Sequence, residues 1–249
     1  MSQATSWNPE AYAANARFVS ELGAPLLQLL QPKPGEVILD LGCGDGALTE
    51  KIAAFGCTVY GIDRSLAQIQ AAKKRGLNAL VMDAQELSFK GRFDAVFSNA
   101  ALHWMKQPEK VIAGVWNCLQ GDGRFVGEFG GKGNVDKIRS ALHAGLRQRG
   151  IDPQAIDPWY YPSAEAHSKL MAREGFTVSY IELIPRPTKL PGDILSWLDV
   201  FAQPFIKSVV EGERKDFLAE VRSDLQSSLC DAAGNWFADY VRLRFKAVK

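Results

Sequence analysis

The fold of this chain is decided by the stretch Val37-Ile38-Leu39-Asp40-Leu41-Gly42-Cys43-Gly44-Asp45-Gly46. Its first five residues, apolar except for Asp40, have the length of a buried strand, and a helical pattern follows the glycines. The glycines permit a tight turn and let a ligand approach the backbone closely. A strand, a glycine-rich loop and a helix in this order predict a site for a nucleotide-like ligand at the carboxyl end of a parallel strand.

Strand-like apolar runs alternate with helical patterns along the rest of the chain. After the first strand, the runs are 58–62, 79–82, 95–98, 124–129, 176–183 and 240–248. This alternation is typical of a parallel sheet that is covered by helices on both faces. We therefore predict an α/β protein with a doubly wound, Rossmann-like sheet.

Residues 185–235 interrupt this alternation. Aromatic and aliphatic side chains recur there at roughly helical spacing, at Trp197, Phe201, Phe205, Phe217, Val221 and Leu225. The pattern predicts a helical insertion that encloses a partly apolar chamber.

Composition favours a small-molecule partner. The 249 residues are 47% apolar, and 29 basic residues nearly balance 28 acidic ones, so no overall field attracts nucleic acid or an anionic membrane. The four cysteines are widely spaced without a C-x-x-C pair, which disfavours a disulfide framework or a zinc site. With neither a signal-like N-terminus nor a long apolar run, we expect a cytoplasmic protein that does not enter a membrane.

Acidic residues follow three successive predicted strands. Asp40 ends the first strand, Asp63 ends the second and Asp83 follows the third, while Asp45 lies inside the glycine-rich loop. An acid at the position of Asp63 suits the two hydroxyl groups of a ribose. Asp83 is placed to accept a hydrogen bond from an adenine amino group.

The charges distinguish between two kinds of nucleotide-like ligand. Residues 42–47 also satisfy the loose dinucleotide pattern G-x-G-x-x-A, so an oxidoreductase that uses a nicotinamide dinucleotide is an alternative. Asp40 and Asp45 would repel an anionic pyrophosphate, whereas S-adenosylmethionine (SAM) carries a cationic sulfonium and an ammonium group. The acidic residues therefore favour SAM, with S-adenosylhomocysteine as its product. A non-catalytic SAM-binding protein remains a second alternative.

The chain resembles the class I SAM-dependent methyltransferase family through residues 37–46, Asp63, and Asp83-Ala84 after the third strand. This resemblance implies a seven-stranded sheet whose last strand runs antiparallel. It also implies that the glycines contact the methionine part of SAM, that Asp63 binds the ribose and that Asp83 and Ala84 bind the adenine. The expected cofactor-binding residues are Asp40, Gly42, Gly44, Asp63, Arg64, Asp83, Ala84 and Asn99.

Within the family, residues 93–105 look most like the group of trans-aconitate methyltransferases and their small-molecule relatives. Malonyl-carrier-protein methyltransferases and enzymes that resemble cyclopropane-fatty-acid synthases have similar sequence here and are alternatives. The resemblance implies an N-terminal helical lid in residues 1–34 over a methyltransferase domain in residues 35–249, with 185–235 as a helical cover for the substrate. Tyr12 would lie in the lid near the substrate. A carboxylate of the trans-aconitate kind is accordingly one candidate acceptor.

Two other substrate classes are disfavoured. Nucleic-acid amino methyltransferases of this fold carry Pro-Pro-aromatic after the fourth strand, whereas this chain has Asn99-Ala100-Ala101-Leu102. Protein arginine methyltransferases need a pair of glutamates, and Glu128 stands alone at the corresponding strand end. We therefore expect neither nucleic-acid bases nor arginine as the acceptor.

Catalytic groups depend on the acceptor, because an ionised carboxylate needs no general base whereas a phenol, an amine or a carbon acid benefits from one. His103 follows the fourth strand, at the rim where substrates meet SAM in this fold, and is the candidate base or substrate contact. Its neighbour Trp104 is expected near the substrate or under the adenine. Asn99 could orient the acceptor.

Overall fold

Seven strands form one mixed sheet in the computed structural model of this protein, which describes residues 24–249. The strands are β1 Val37–Leu41, β2 Thr58–Asp63, β3 Asn78–Val81, β4 Phe93–Asn99, β5 Leu119–Gly130, β6 Thr177–Lys189 and β7 Phe237–Val248. They lie in the order β3-β2-β1-β4-β5-β7-β6. Only β7 runs antiparallel to its neighbours, β5 and β6, while the other pairs are parallel. The predicted seven-stranded sheet with an antiparallel last strand is confirmed.

Helices cover both faces of this sheet. They are α1 Ala24–Leu30, α2 Ala47–Ala53, α3 Leu66–Lys74, α4 Pro108–Cys118, α5 Asp136–Gln148, α6 Pro153–Ile156, α7 Ala164–Glu174, α8 Ile194–Phe201, α9 Gln203–Ser208 and α10 Arg214–Leu229. The apolar residues of α1 and α2 pack against one face, and those of α4 and α7 pack against the other. Within the described part of the chain, no helix has both the length and the apolar character to cross a membrane.

The strand order creates a crevice beside β1. The chain passes from β1 outward to β2 and β3, and then returns to the other side of β1 as β4. At such a reversal the connecting loops on the two sides leave in opposite directions and open a space at the carboxyl ends of the strands. The glycine-rich loop after β1 and the turn after β4 both lie at this reversal.

The helices before β7 build a core of their own. Trp197, Phe205, Phe217, Val221 and Leu225 are buried together with residues of α5, and Phe201 packs against them. The predicted apolar spacing is therefore the spacing of a real helical core.

The predicted start of these helices at residue 185 is wrong, because β6 continues to Lys189 and α8 begins only at Ile194. Pro185 and Pro187 lie within β6. Proline lacks the N–H that a central strand must donate, but β6 is an edge strand and tolerates its absence.

One carboxylate joins the last three strands of the sheet. The buried Glu128 of β5 accepts hydrogen bonds from Arg186 of β6 at 2.7 and 3.1 Å and from Arg244 of β7 at 2.7 Å. The two guanidinium groups hold the pKa of this carboxyl below its ordinary value despite its burial. Glu128 is thus fully engaged by arginines of the chain itself.

We expect Glu128→Gln to lower the free energy of unfolding by roughly 3–5 kcal/mol, the typical cost of removing one partner from a buried ion pair. The measurement is urea denaturation followed by circular dichroism. Glu182→Gln is the matched control, because Glu182 lies on β6 opposite Arg244 of β7 but is exposed, and it should change stability by less than about 0.5 kcal/mol. Equal effects of the two changes would contradict the role given to Glu128.

Candidate active site

The loop after β1 is fixed to the end of β2 by backbone hydrogen bonds. The N–H groups of Gly42 and Cys43 donate to the carbonyl of Ile62 at 2.8 and 2.9 Å. Gly42 has a φ of +77°, and a Cβ at this position would lie 2.2 Å from the Cβ of Ala101. Only glycine satisfies both conditions, so the turn after β1 can lie directly against the turn after β4.

Asp63, at the end of β2, holds this loop in place. One of its carboxylate oxygens accepts the N–H of Gly44 at 3.1 Å, and the other accepts the N–H of Ser65 at 2.8 Å. Burial raises the pKa of this carboxyl above its ordinary value, while the two backbone hydrogen bonds oppose the rise. Each oxygen has a further lone pair, so Asp63 can accept additional hydrogen bonds from a ligand.

These elements surround a cavity that opens to solvent, which we call the strand-end cavity. Its empty space, part of which is open solvent, is about 850 Å³. Its lining includes eight residues that were singled out from the sequence: Gly42, Gly44, Asp63, Arg64, Asp83, Ala84, Asn99 and Trp104. The remaining lining residues are Ile62, Gln68, Met82, Gln85, Ala100, Ala101 and Met105. Tyr12 lies outside the described residues.

Two predicted carboxylates do not line this cavity. Asp40 is 2% exposed and accepts a hydrogen bond from the Thr49 hydroxyl at 2.6 Å, behind the loop. Asp45 forms an ion pair with Arg75 at 2.9 Å. The expectation that both acids face the ligand is therefore corrected, and the acidic groups in the lining are Asp63 and Asp83.

Asp83 is oriented by the short helical turn that follows β3. Its carboxylate accepts the N–H of Gln85 at 2.9 Å and caps the turn Ala84–Glu86. The Gln85 side chain in turn accepts the N–H of Gln107 at 3.0 Å. Because these bonds fix Asp83 and Gln85 together at the cavity wall, both can serve as directional partners for a ligand.

A second cavity of about 410 Å³, the aromatic cavity, adjoins the first. It is lined by Ala100, His103, Trp104, Asn134, Trp159, Tyr161, Trp197, Phe201, Tyr240 and Arg242. Ala100 and Trp104 belong to both linings. Ala100 has a φ of +55°, a left-handed conformation that is strained for a residue with a Cβ. The strained turn after β4 thus stands at the junction of the two cavities.

His103 lies in the wall of the aromatic cavity and is 7% exposed. Its Nδ1 accepts the backbone N–H of Gly130 at 3.3 Å. Burial, together with the nearby positive charge of Arg242, lowers the pKa of His103 well below its ordinary value. The neutral ring then carries its proton on Nε2, with the Nδ1 lone pair already engaged. His103 is therefore suited to donate a hydrogen bond and not to act as a general base.

Other side chains of the second cavity were not anticipated as site residues. Trp159 and Tyr161 come from the loop before α7, Asn134 comes from the loop before α5, and Tyr240 and Arg242 come from β7. In the sequence, the available signals for these site residues were the aromatic residues of the loop before α7 and the alternating pattern of β7. They did not reveal which side chains face inward.

The basic face of α5 has a structural partner. Arg139 and His143 both contact the carboxylate of Asp157, which has 2% of its side chain exposed. These contacts anchor the loop that carries Trp159 and Tyr161.

We expect Asp40→Asn to stabilise the protein increasingly as the pH rises from 5 to 8. Burial raises the pKa of Asp40 from 3.8 to about 7. In the wild type the folded state binds this proton more tightly than the unfolded state, so stability is lost as the pH rises between these two values. Asparagine avoids this loss and can still accept the Thr49 hydroxyl. Thermal unfolding should show the difference, since 1 kcal/mol corresponds to about 2–4 °C at this chain length. A pH-independent difference in Tm would contradict the assignment.

Comparison with known proteins agrees with this architecture. A family model described as a methyltransferase domain matches residues 39–127. An uncharacterized methyltransferase from Schizosaccharomyces pombe is 39% identical to this chain, with 98% of each protein covered. The trans-aconitate 2-methyltransferase of Deinococcus radiodurans is 35% identical over 47% of this chain and 47% of its own length.

Solved methyltransferase structures share the fold at lower identity. The phosphoethanolamine N-methyltransferase 2 of Haemonchus contortus, in complex with SAM, has a TM-score of 0.62 at 19% identity and covers 100% of this chain and 58% of its own. The geranyl diphosphate C-methyltransferase of Streptomyces coelicolor has a TM-score of 0.57 at 19% identity and covers 93% and 78%. The full-length relative and the shared fold favour a methyltransferase over a nicotinamide-dependent oxidoreductase. This chain belongs to the class I SAM-dependent methyltransferase family.

Proposed function

We propose that the protein transfers a methyl group from SAM, bound in the strand-end cavity, to a small molecule bound in the aromatic cavity. The observation that carries this proposal is the junction of the two cavities, whose linings share Ala100 and Trp104.

The residues of the strand-end cavity fit SAM. Asp63 retains acceptor capacity for two ribose hydroxyls, and Asp83 stands beside Ala84 and Met82, where an adenine ring finds both an acceptor and apolar cover. Gly44 has no atom within 4 Å of the position that a Cβ would occupy, so the loop leaves room for a ligand against its backbone. Asn99 and Arg64, which also line this cavity, complete the proposed set of SAM-binding residues.

When bound, SAM supplies a methyl group on a sulfonium, which an acceptor takes up by in-line displacement. The task of the protein is to align the acceptor and to exclude water. The aromatic walls serve this purpose, and His103 supplies a hydrogen-bond donor. In the described lining of the aromatic cavity, no carboxylate is present and His103 is placed as a donor, so no residue there is poised as a general base. This favours an acceptor that is already ionised near neutral pH, such as a carboxylate.

We also propose roles for the remaining segments. The lid expected in residues 1–34 cannot include α1, because Leu26 and Leu30 of α1 pack into the core against the sheet. The proposed lid is therefore limited to the residues before α1, with Tyr12 beside the substrate. The helices within 185–235 cover the acceptor. The similarity to trans-aconitate 2-methyltransferases makes a carboxylate the first acceptor to test. We infer a cytoplasmic enzyme, and its nearly balanced charge disfavours nucleic acid or an anionic membrane as a partner.

Titration calorimetry with SAM tests the cofactor site. We expect Asp63→Asn to weaken binding about tenfold or more, because a hydrogen bond to a charged group contributes ~1.5–3 kcal/mol. Asp45→Asn removes the same charge from an acid that pairs with Arg75 outside the cavity lining, and it should change affinity less than about twofold. Unchanged affinity in the Asp63 variant would remove the ribose assignment, and no binding by the wild type would remove the proposed cofactor site.

Transfer of a tritiated methyl group tests the reaction. Carboxylic acids, phenols, amines and acyl thioesters are offered as acceptors, beginning with trans-aconitate, and we expect transfer to a carboxylic acid. With that acceptor, the kcat of the wild type and of His103→Gln should share the same pH profile between 6 and 9, because neutral His103 only donates a hydrogen bond. A limb in the wild-type profile that disappears in His103→Gln would make His103 a general base. Tight SAM binding without any transfer would favour a non-catalytic SAM-binding protein.

A further inference from the structure

Arg242 is a buried cation in the wall of the aromatic cavity. It lies on β7, is 6% exposed and stacks over the ring of Tyr240 with 4.7 Å from its guanidinium carbon to the ring centroid. Within residues 24–249, it has neither an ion pair nor a side-chain hydrogen bond. A buried guanidinium without an anionic partner is costly, and stacking on an aromatic ring compensates for only part of that cost.

Two buried carboxylates on the surrounding elements are already engaged. Glu128 lies on the strand beside β7, but it is bonded to Arg186 and Arg244. Asp157, near Tyr161, is bonded to Arg139 and His143.

Asp239 precedes Tyr240 on β7, and alternation along a strand directs it to the opposite face from Arg242. One oxygen of Asp239 accepts the N–H of Lys137. No carboxylate belongs to the described lining of the aromatic cavity, so this lining carries a net positive charge.

The other polar groups of the cavity also favour a negative ligand. His103 presents a donor at Nε2, since its Nδ1 accepts the N–H of Gly130. The side-chain oxygen of Asn134 accepts the N–H of Val241 at 2.9 Å, which leaves its NH₂ group as the donor end, in contact with Tyr161. The hydroxyl of Tyr240 accepts from Trp197 Nε1 at 2.6 Å. A cation and fixed donors thus stand within one apolar enclosure.

We propose that Arg242 is the anchor for an anionic acceptor, namely a compact organic carboxylate whose charged group pairs with the guanidinium while its remainder packs on the aromatic walls. The planar fork of arginine matches a carboxylate through two parallel hydrogen bonds. A cationic amine is disfavoured in the same place, because it would meet a buried charge of its own sign. This inference deepens the proposed function and rests on it for the identity of the aromatic cavity as the acceptor site.

The test is a binding titration that requires no turnover. Binding is followed by the quenching of tryptophan fluorescence, to which Trp104, Trp159 and Trp197 in the cavity contribute. The ligands are trans-aconitate, compared with its neutral trimethyl ester, and cinnamate, compared with its neutral methyl ester. Titrations are made with and without S-adenosylhomocysteine. We expect at least one of the two carboxylates to bind the wild type at least tenfold more tightly than its ester does.

Variants at Arg242 test whether this residue causes the preference for carboxylates over esters. Arg242→Met should lower carboxylate affinity at least tenfold, Arg242→Lys should retain an intermediate affinity, and both should bind S-adenosylhomocysteine within about twofold of the wild type. Arg222→Met is the matched control, because Arg222 also lies near an aromatic ring, that of Trp236, but pairs with Asp193 outside the aromatic cavity. It should leave carboxylate affinity unchanged. Thermal unfolding verifies that each variant is folded, and if Arg242→Met does not fold, Arg242→Lys provides the comparison.

The outcomes separate the two hypotheses. Equal binding of carboxylates and esters, no binding of either carboxylate, or equal affinity in the wild type and Arg242→Met would each overturn the role of Arg242. Failure of the wild type to bind S-adenosylhomocysteine would overturn the proposed function, while the titrations without it would still report on Arg242. In the methyl-transfer assay, a specific role predicts a raised KM for the acceptor with little change in kcat.

Discussion

The carboxylate of Asp63 accepts one backbone N–H from the loop after β1 and another from the residue that caps α3. A partly buried carboxylate is stabilised when hydrogen bonds replace its lost hydration, so these two bonds fix the loop and the helix relative to the end of β2. The same carboxylate faces the strand-end cavity. Folding and ligand recognition therefore depend on one group, and the sheet reversal beside β1 supplies the space in which that group is useful.

The strand and loop pattern was predictable because it depends on neighbours in the sequence. Four apolar residues among the five of β1, and the glycines after them, determine this strand and its turn, and Asp63 and Asp83 follow from the ends of the next two strands. The positions of Asp40 and Asp45 were not predictable in this way. Asp40 accepts a hydrogen bond from Thr49 of α2. Asp45 forms an ion pair with Arg75, which lies 30 residues further along the chain. Tertiary docking decided both orientations.

The aromatic cavity shows the same limit more strongly. His103, Asn134, Tyr161 and Trp197 come from four different segments, and Arg242 joins them only because β7 inserts between β5 and β6. The alternation of β7 predicts that Tyr240, Arg242 and Arg244 share a face, but not that this face is enclosed. Trp197 and Phe201 were expected in an apolar chamber from their spacing alone, whereas the polar contents of that chamber depend on strand register.

The way in which Glu128 pairs with the neighbouring arginines explains why the lining of the aromatic cavity is positively charged. Three arginines, Arg186, Arg242 and Arg244, stand on the surface formed by β6 and β7, and Glu128 engages two of them. The third is left at the wall of the aromatic cavity, while the acids of the lining lie across the Ala100 and Trp104 junction, in the strand-end cavity. A cationic methyl donor and an anionic acceptor would each meet the opposite charge in its own cavity and would attract one another at the junction. The separation of these charges favours simultaneous binding of both and disfavours the exchange of their positions.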